Sequence, residues 1–155
     1  MSELRSGRTG PARHPCGIPM TSNRETPGNA PVIAEQVRLF NASGFARLLQ
    51  MEILEAADGY AKVTMDCTGK MNPGGVAHGG AIFSLADQAF GIAANCCGTH
   101  RVAVSVTINY LAPAKGKLVA TAKRVADNGT CDTYRVMVHE GDRPIAEFTG
   151  VAFRV

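Results

Sequence analysis

One carboxylate stands out because it interrupts the longest apolar stretch of the chain. Between Gly79 and Thr99 there is no Lys, Arg or His, and Asp87 is the only residue there that carries a charge at neutral pH. A carboxylate without a counter-ion in apolar surroundings costs several kcal/mol or has its pKa raised. A partly desolvated acid of this kind suits a general base. The alternative is that Asp87 caps a backbone group or meets a basic partner from a distant strand.

A pair of glycines supplies a second chemical feature at the start of the same stretch. Gly79 and Gly80 follow His78 and a Gly/Pro-rich loop over residues 68–77. Glycines at a helix start let a substrate approach the backbone, and they leave N–H groups free at the positive end of the helix dipole. Such donors stabilise the negative charge that develops on a carbonyl oxygen. Close packing of the two glycines against a neighbouring element is an equally good explanation.

The spacing of these two features constrains how they work together. Gly79 and Asp87 are eight positions apart, which corresponds to about 12 Å along a helix that rises roughly 1.5 Å per residue. One carbonyl cannot contact both groups of a single straight helix. If both serve one reaction, they come from different subunits, so we expect an obligate dimer with two sites across its two-fold interface.

The elements that position these residues form an α+β domain. Residues 78–97 predict one long helix that is apolar all the way round, and therefore buried in its domain or assembly. One or two short helices are expected between residues 32 and 49. The remaining apolar runs predict about six strands, which we expect to form a curved antiparallel sheet with the helix packed on one face. The predicted strands are 50–56, 60–67, 101–111, 118–126, 131–139 and 145–154, the last four as a meander.

Two details of these strands are specific enough to test. Asp58-Gly59 between apolar runs is a strong hairpin signal. The segment 101–111 alternates in sequence, which predicts one face with Val and Ile side chains and an opposite, more polar face. The apolar face would carry Val102, Val104, Val106, Ile108 and Tyr110, and the other would carry Ala103, Ser105, Thr107 and Asn109.

Length and composition limit the remaining possibilities. We interpret residues 1–30, which are rich in Gly, Pro and Arg, as a disordered tail, and residues 31–155 as one domain. The formal net charge is +3 with no basic stripe, so we expect no nucleic-acid partner. The absence of a long charge-free apolar span predicts a cytoplasmic protein without a membrane segment. Five cysteines without a Cys-x-x-Cys pair indicate reduced thiols and no metal site.

Two motifs resemble a known family. The run His78-Gly-Gly-Ala-Ile-Phe-Ser-Leu-Ala-Asp87, followed by Val104-Ser-Val-Thr-Ile-Asn-Tyr-Leu-Ala-Pro113, is similar to hotdog-fold thioesterases, in the branch of phenylacetate-pathway thioesterases and thioesterase superfamily member 2. The resemblance covers about residues 45–154. It implies a long helix wrapped by an antiparallel sheet, homodimers that commonly pair into tetramers, hydrolysis of acyl-CoA, and no metal or organic cofactor.

The resemblance also implies roles for individual residues. Asp87 corresponds to the acid that orients or activates the attacking water; direct attack by its carboxylate to give an anhydride is the alternative. The N–H group of Gly79 corresponds to the main oxyanion donor, which the opposite subunit provides. Asn72 corresponds to a side chain that polarises the thioester carbonyl or holds the loop; a turn-forming role is the alternative. His78 is expected to fix the helix start through hydrogen bonds. Ser105 corresponds to a residue that positions the water, although a plain strand serine explains it equally well.

A second group of residues is expected to bind the substrate. Gly80, Met71 and Phe83 are expected to line the substrate pocket. Lys115, together with Lys117, Lys123 and Arg124, is a candidate for contacting the CoA phosphates; solvated surface side chains are the alternative. Two other functions stay open: a non-catalytic acyl-CoA binding or sensing domain, and a hotdog hydratase or dehydratase, which needs a histidine and an acid facing the same carbon. There is no Gly-x-Ser-x-Gly motif of an α/β-hydrolase.

Overall fold

The computed structural model describes residues 30–155, so nearly all of the predicted tail lies outside the described residues. The two short helices are confirmed as α1, Ala30–Ala42, and α2, Gly44–Leu48. Ser43 separates them because it caps α2, with its Oγ accepting a hydrogen bond from the N–H of Ala46 at 3.3 Å. Among residues 30–155, no helix has the length and apolar character needed to cross a membrane.

Six antiparallel strands and one long helix form the main part of the fold. The strands are β1 Glu52–Ala57, β2 Tyr60–Asp66, β3 Arg101–Tyr110, β4 Lys117–Asp127, β5 Cys131–Glu140 and β6 Arg143–Arg154, and the helix is α3, Gly79–Asn95. The strands form one sheet in the order β1-β2-β4-β5-β6-β3. The predicted hairpin between β1 and β2 is confirmed, and Gly59 has the positive φ of 71° that its turn requires. The helix α3 lies between β2 and β3 in the sequence, as predicted.

The prediction of a four-stranded meander was wrong for β3. Of these four strands, β4, β5 and β6 are neighbours both in the sequence and in the sheet, whereas β3 pairs with β6 and forms an edge of the sheet. Residues 111–116 are therefore not a hairpin turn. They cross the end of the sheet, with hydrogen bonds from Leu111 N–H to the Ile145 carbonyl and from Ala77 N–H to the Ala114 carbonyl. The sequence of this segment predicts an irregular connection but not its direction.

The predicted alternation in β3 was also wrong at one point, because the strand contains a β-bulge. Ala103 faces Ala152 and Ser105 faces Val151, so Val104 is an extra residue and the side-chain pattern shifts by one. Val106, Ile108 and Tyr110 share a face with the buried side of β6, as predicted. Val102 lies on the opposite face, with Ser105 and Thr107.

The core lies between α3 and the concave face of the sheet. Nine of the 17 residues of α3 are buried, which confirms that much of the helix is enclosed. At Gly150 a Cβ atom would lie 2.9–3.0 Å from the rings of Phe148 and Phe90, so the helix packs closely against β6 here. Phe90 also packs edge-on against Tyr134, with ring centroids 5.3 Å apart. This packing fixes the position of α3, and with it Gly79 and Asp87.

A buried ion pair fastens the C-terminal end of α3 to the sheet. Arg101 Nε lies 2.7 Å from Asp132 Oδ2, and the two side chains are 5% and 2% exposed. Arg101 Nη1 also donates to the Ala94 carbonyl at 2.9 Å, near the end of the helix. Asn95 accepts a hydrogen bond from the Arg101 N–H at 2.7 Å. The first residue of β3 is thus held against α3.

Candidate active site

The start of α3 leaves one backbone donor free. His78 is the N-cap, and its Nδ1 accepts a hydrogen bond from the Gly80 N–H at 2.9 Å. The His78 carbonyl accepts from the N–H groups of Ala81 and Ile82 at 2.9 and 3.1 Å. Within residues 30–155 the Gly79 N–H alone of these first helical amides has no acceptor. It is therefore available to a substrate oxygen at the positive end of the helix dipole.

The geometry of His78 fits the structural role predicted for it. Because Nδ1 accepts this hydrogen bond, the cap uses the tautomer that carries its hydrogen on Nε2. The His78 N–H donates to the Lys70 carbonyl at 2.8 Å, which ties the cap to the preceding loop. A ring engaged in this way orders the helix start.

Asn72 holds the loop before α3 and keeps a second donor free. Its Oδ1 accepts hydrogen bonds from the N–H groups of Gly74 at 2.9 Å and Val76 at 3.4 Å, the turn role considered from the sequence. Its Nδ2 makes no hydrogen bond within the described chain. The turn fixes the orientation of the amide, so both readings of Asn72 are compatible: the oxygen organises the loop and the nitrogen can donate to a ligand.

Tyr110 contacts Gly79 directly, a role that the sequence analysis did not assign. Its hydroxyl donates to the Gly79 carbonyl at 3.0 Å. A Cβ atom on Gly79 would lie 3.4 Å from the Tyr110 ring, so the ring packs on the glycine backbone. Close packing and an exposed N–H therefore occur together at Gly79. The only sequence signal was an aromatic residue at the end of the strand that follows the helix.

Asp87 lies on a stripe of α3 that the rest of the chain does not fully cover. We call Gly80, Ser84, Asp87, Gln88 and Gly91 the open stripe, because none of them is buried and they recur at helical spacing. Asp87 forms no ion pair or hydrogen bond with any described residue. Partial burial raises the pKa of Asp87 above its ordinary value, and no basic group opposes the rise.

Two pockets flank the start of α3. The Gly79 pocket, of about 350 Å³, is lined by Asn72, Gly79, Ile82, Tyr110, Leu111 and Pro113 among others. The Gly80 pocket, of about 440 Å³, includes Phe45, Leu49, Met71, His78, Gly80 and Ala81. The structure thus brings Asn72 and Gly79 together in one pocket and Met71, His78 and Gly80 in the other. Asp87 lines neither, and lies two turns further along the helix.

Several predicted residues lie elsewhere. Ser105 is on the outer face of the sheet, opposite Val151, and points away from the side on which α3 packs. Phe83 packs edge-on against Phe148, with centroids 5.8 Å apart, and lines neither pocket. Lys115 is exposed, two residues after Pro113 of the Gly79 pocket.

Arg124, a candidate for contacting the CoA phosphates, is engaged in an ion pair. Its guanidinium donates to both carboxylate oxygens of Asp58 at 3.1 and 2.9 Å, and its Nη1 lies 3.7 Å from Asp132. The side chain is mostly covered. Arg124 therefore closes the β1–β2 turn onto β4.

Comparisons with known proteins identify the family. The family model of the thioesterase superfamily matches residues 74–146. This range includes Asp87 and the residues of α3 that line the two pockets. A protein of Archaeoglobus fulgidus is 43% identical over 112 residues, covering 70% of this chain and 73% of that protein. The acyl-coenzyme A thioesterase PaaI of Escherichia coli is 34% identical over 121 residues, covering 76% of this chain and 86% of PaaI. The chain belongs to the thioesterase superfamily.

Solved structures agree with this membership. The structure of the E. coli PaaI protein, from the phenylacetic acid degradation operon, superposes with a TM-score of 0.74 at 30% identity, covering 79% of this chain and 94% of PaaI. This superposition confirms the expected hotdog arrangement of one long helix on a six-stranded antiparallel sheet. As a member of the superfamily, the chain is a thioester hydrolase.

Proposed function

We propose that this protein hydrolyses acyl-CoA thioesters to a free acid and CoA at a site shared by two subunits. The observation that carries the proposal is the Gly79 N–H at the start of a 17-residue helix, for which the described part of the chain provides no acceptor. A free amide at this place is suited to hold a thioester carbonyl oxygen as it becomes negative. The acyl-CoA named for the E. coli relative supports the choice of substrate.

The mechanism follows from the groups that are free. The thioester carbonyl oxygen accepts hydrogen bonds from the Gly79 N–H and from Asn72 Nδ2 of one subunit. Asp87 of the partner subunit accepts a proton from water, and the water oxygen forms a bond to the carbonyl carbon. The tetrahedral intermediate then collapses as its C–S bond breaks, and the CoA sulfur leaves and takes up the proton from Asp87. Each turnover consumes one water, and Asp87 returns to its carboxylate form.

The edge strand β3 supports the proposal of a dimer. It is ten residues long, and Val102, Val104 and Val106 are between 36% and 58% exposed. No charged residue or proline follows Arg101 within the strand. Long apolar edges without such protection are suited to pairing with another chain.

The other edge strand, β1, is protected in ways that β3 is not. β1 carries the charged residues Glu52 and Glu55, whereas a bulge is common to both edge strands. The helix α1 packs beside it, and Asn41 Oδ1 accepts a hydrogen bond from the Ile53 N–H at 3.4 Å. Of the two edges, β3 is therefore the one that we propose pairs with its copy in the partner subunit.

The first experiment measures CoA release from a panel of acyl-CoAs. Asp87→Asn is expected to lower kcat by about 10²- to 10⁴-fold, because it removes the general base while keeping the side-chain shape. Gln88→Ala is the matched control, since Gln88 neighbours Asp87 on the open stripe and has no part in the mechanism. A folded wild-type protein that binds but hydrolyses none of the acyl-CoAs would contradict the proposal and favour the sensor alternative.

A second experiment tests whether the site is shared. Asp87→Asn chains and Gly79→Val chains, each inactive alone, are co-expressed and purified together. If Asp87 and Gly79 of different subunits form one site, each heterodimer keeps one intact site, and random pairing restores about one quarter of the wild-type activity. If both groups act within one chain, every site contains a defect. No recovery in verified heterodimers would therefore refute the shared site.

A further inference from the structure

Ser84 has its hydroxyl hydrogen engaged, which leaves its oxygen as an acceptor only. Ser84 Oγ lies 2.7 Å from the Gly80 carbonyl oxygen, and because a carbonyl cannot donate, the serine hydroxyl is the donor of this bond. No N–H or O–H group of residues 30–155 donates to Ser84 Oγ. On the open stripe of α3, this half-buried oxygen can therefore accept a hydrogen bond from a ligand but cannot donate one.

Asp87 places a second acceptor beside the first. It follows Ser84 by three positions in α3, and residues three apart in a helix are neighbours, with Cβ atoms about 5–6 Å apart. Helical side chains lean towards the N-terminal turn, so the Asp87 carboxylate leans towards the turn that contains Ser84. No hydrogen bond joins the two side chains. Since neither has a hydrogen to give the other, they form a pair of acceptors that a donor can bridge.

We propose that Ser84 and Asp87 together hold the attacking water, which makes Ser84 a second catalytic residue on the same helix. The inference rests on the proposed function. A water molecule has two hydrogens, and it can donate one to Asp87 and the other to Ser84 Oγ. Two such bonds of about 2.7–2.8 Å span about 4.5 Å between the acceptor oxygens. This span suits two side chains that are neighbours on one face of a helix.

Holding both hydrogens fixes the direction of attack. When both O–H bonds of the water are directed at α3, its lone pairs point away from the helix, towards the carbonyl carbon held by the other subunit of the proposed dimer. One proton moves to Asp87 as the O–C bond forms, and the second hydrogen stays on the attacking oxygen, bonded to Ser84 Oγ. The later steps are those of the proposed mechanism. Ser105, the serine that the resemblance suggests for positioning the water, points away from the side on which α3 packs.

The test is the choice between water and methanol as the nucleophile. Methanol has a single O–H group; when this group donates to Asp87, no hydrogen is left for Ser84, and the reaction gives a methyl ester and free CoA. The assay measures the ratio of methyl ester to free acid formed from one acyl-CoA in a fixed water–methanol mixture. Ser84→Ala should lower kcat for hydrolysis by about 10-fold, because attack by water loses one hydrogen bond. The ratio should rise by about the same factor, because attack by methanol does not use that bond.

Two further variants separate this role of Ser84 from a structural one. Ser84→Thr keeps the hydroxyl group and should keep the wild-type ratio. Gln88→Ala is the matched control, since it shortens a neighbouring polar side chain of the open stripe, and it should also keep the ratio. Alanine favours a helix more than serine does, so Ser84→Ala is expected to fold. Damage to the fold would slow attack by water and by methanol alike, and would leave the ratio unchanged.

The outcomes distinguish a failure of this inference from a failure of the proposed function. If the wild-type protein hydrolyses acyl-CoA and Ser84→Ala leaves the ester-to-acid ratio unchanged, only the role of Ser84 is refuted, whether or not kcat falls. The role is also refuted if Ser84→Thr raises the ratio as much as Ser84→Ala does, or if Ser105→Ala raises it instead. If the wild-type protein hydrolyses no acyl-CoA of the panel, the proposed function fails and the inference with it.

Discussion

Asp132→Asn is expected to remove about 3–5 kcal/mol from the free energy of unfolding, the range found when one member of a buried ion pair is lost. The carboxylate is 2% exposed and lies 2.7 Å from Arg101 Nε, and the Tyr134 hydroxyl donates to it at 3.2 Å. The asparagine keeps the shape but leaves the Arg101 guanidinium buried without its main counter-ion. Because folded domains have only about 5–15 kcal/mol of stability, the loss is about a fifth of the total or more.

Asp58→Asn is the matched control for this measurement. Asp58 also pairs with an arginine, Arg124, at 2.9 Å, but its side chain is 57% exposed. Its loss should therefore cost about 1 kcal/mol or less. Both variants are unfolded in urea at one fixed protein concentration, since association with a second chain would add to the apparent stability. If Asp132→Asn and Asp58→Asn shift the urea midpoint by the same small amount with unchanged slope, burial does not decide how much an ion pair contributes to the free energy of unfolding, and the reasoning is refuted.

The remaining predictions concern the site and its loop. The acidic limb of the pH profile of kcat/KM should lie above the ordinary Asp range, because desolvation raises the pKa of Asp87, and kcat/KM should fall as the pH drops through that pKa; Asp87→Asn should abolish the limb. Tyr110→Phe should lower kcat several-fold with little change in KM, because the phenyl ring still packs on Gly79 but the hydrogen bond from the tyrosine hydroxyl to the Gly79 backbone carbonyl is lost. An unchanged kcat would refute this role of Tyr110. The backbone N–H groups of Lys115 and Gly116, with Arg143, lower the pKa of Glu140 from 4.5 to about 2. Its stabilising contribution is therefore full above pH 4.5 and lost as the pH falls towards 2, and Glu140→Gln should reduce the pH dependence of Tm in this window.

The sequence predicts the elements of this fold well because each has a local cause. The helix is predicted by a long apolar stretch after Gly79-Gly80, and the first hairpin by Asp58-Gly59. The position of β3 has no local cause. Whether β3 pairs with β4 or crosses to β6 depends on how the chain closes over α3, and the bulge at Val104 appears in a segment that alternates without interruption in the sequence.

The sequence did not predict the buried ion pair between Arg101 and Asp132, because the two residues meet only in the folded chain. Arg101 and Asp132 are 31 positions apart, and no rule of spacing pairs them. Along β5, however, Asp132 is in phase with Tyr134, Val136 and Val138, all of which are buried. A charged residue in the buried phase of a strand predicts a buried partner. Like Asp87 in α3, Asp132 is an acid among apolar residues of its own element. The structure distinguishes the two carboxylates, because only Asp132 lies opposite basic side chains.

That separation is the main physical argument for a catalytic Asp87. Both carboxylates lose water on folding. Asp132 regains favourable interactions through Arg101, Arg124 and Tyr134, whereas no ion pair or hydrogen bond to residues 30–155 compensates Asp87. An acid that is desolvated without compensation lowers stability and remains a stronger base than an ordinary carboxylate. The Gly79 N–H is in the opposite situation, since it is a donor without an acceptor among the described residues. In the proposed dimer, the Gly79 N–H of one subunit and Asp87 of the partner subunit face a common substrate. Because neither group is satisfied within its own subunit, each can interact with the charge that develops in the transition state.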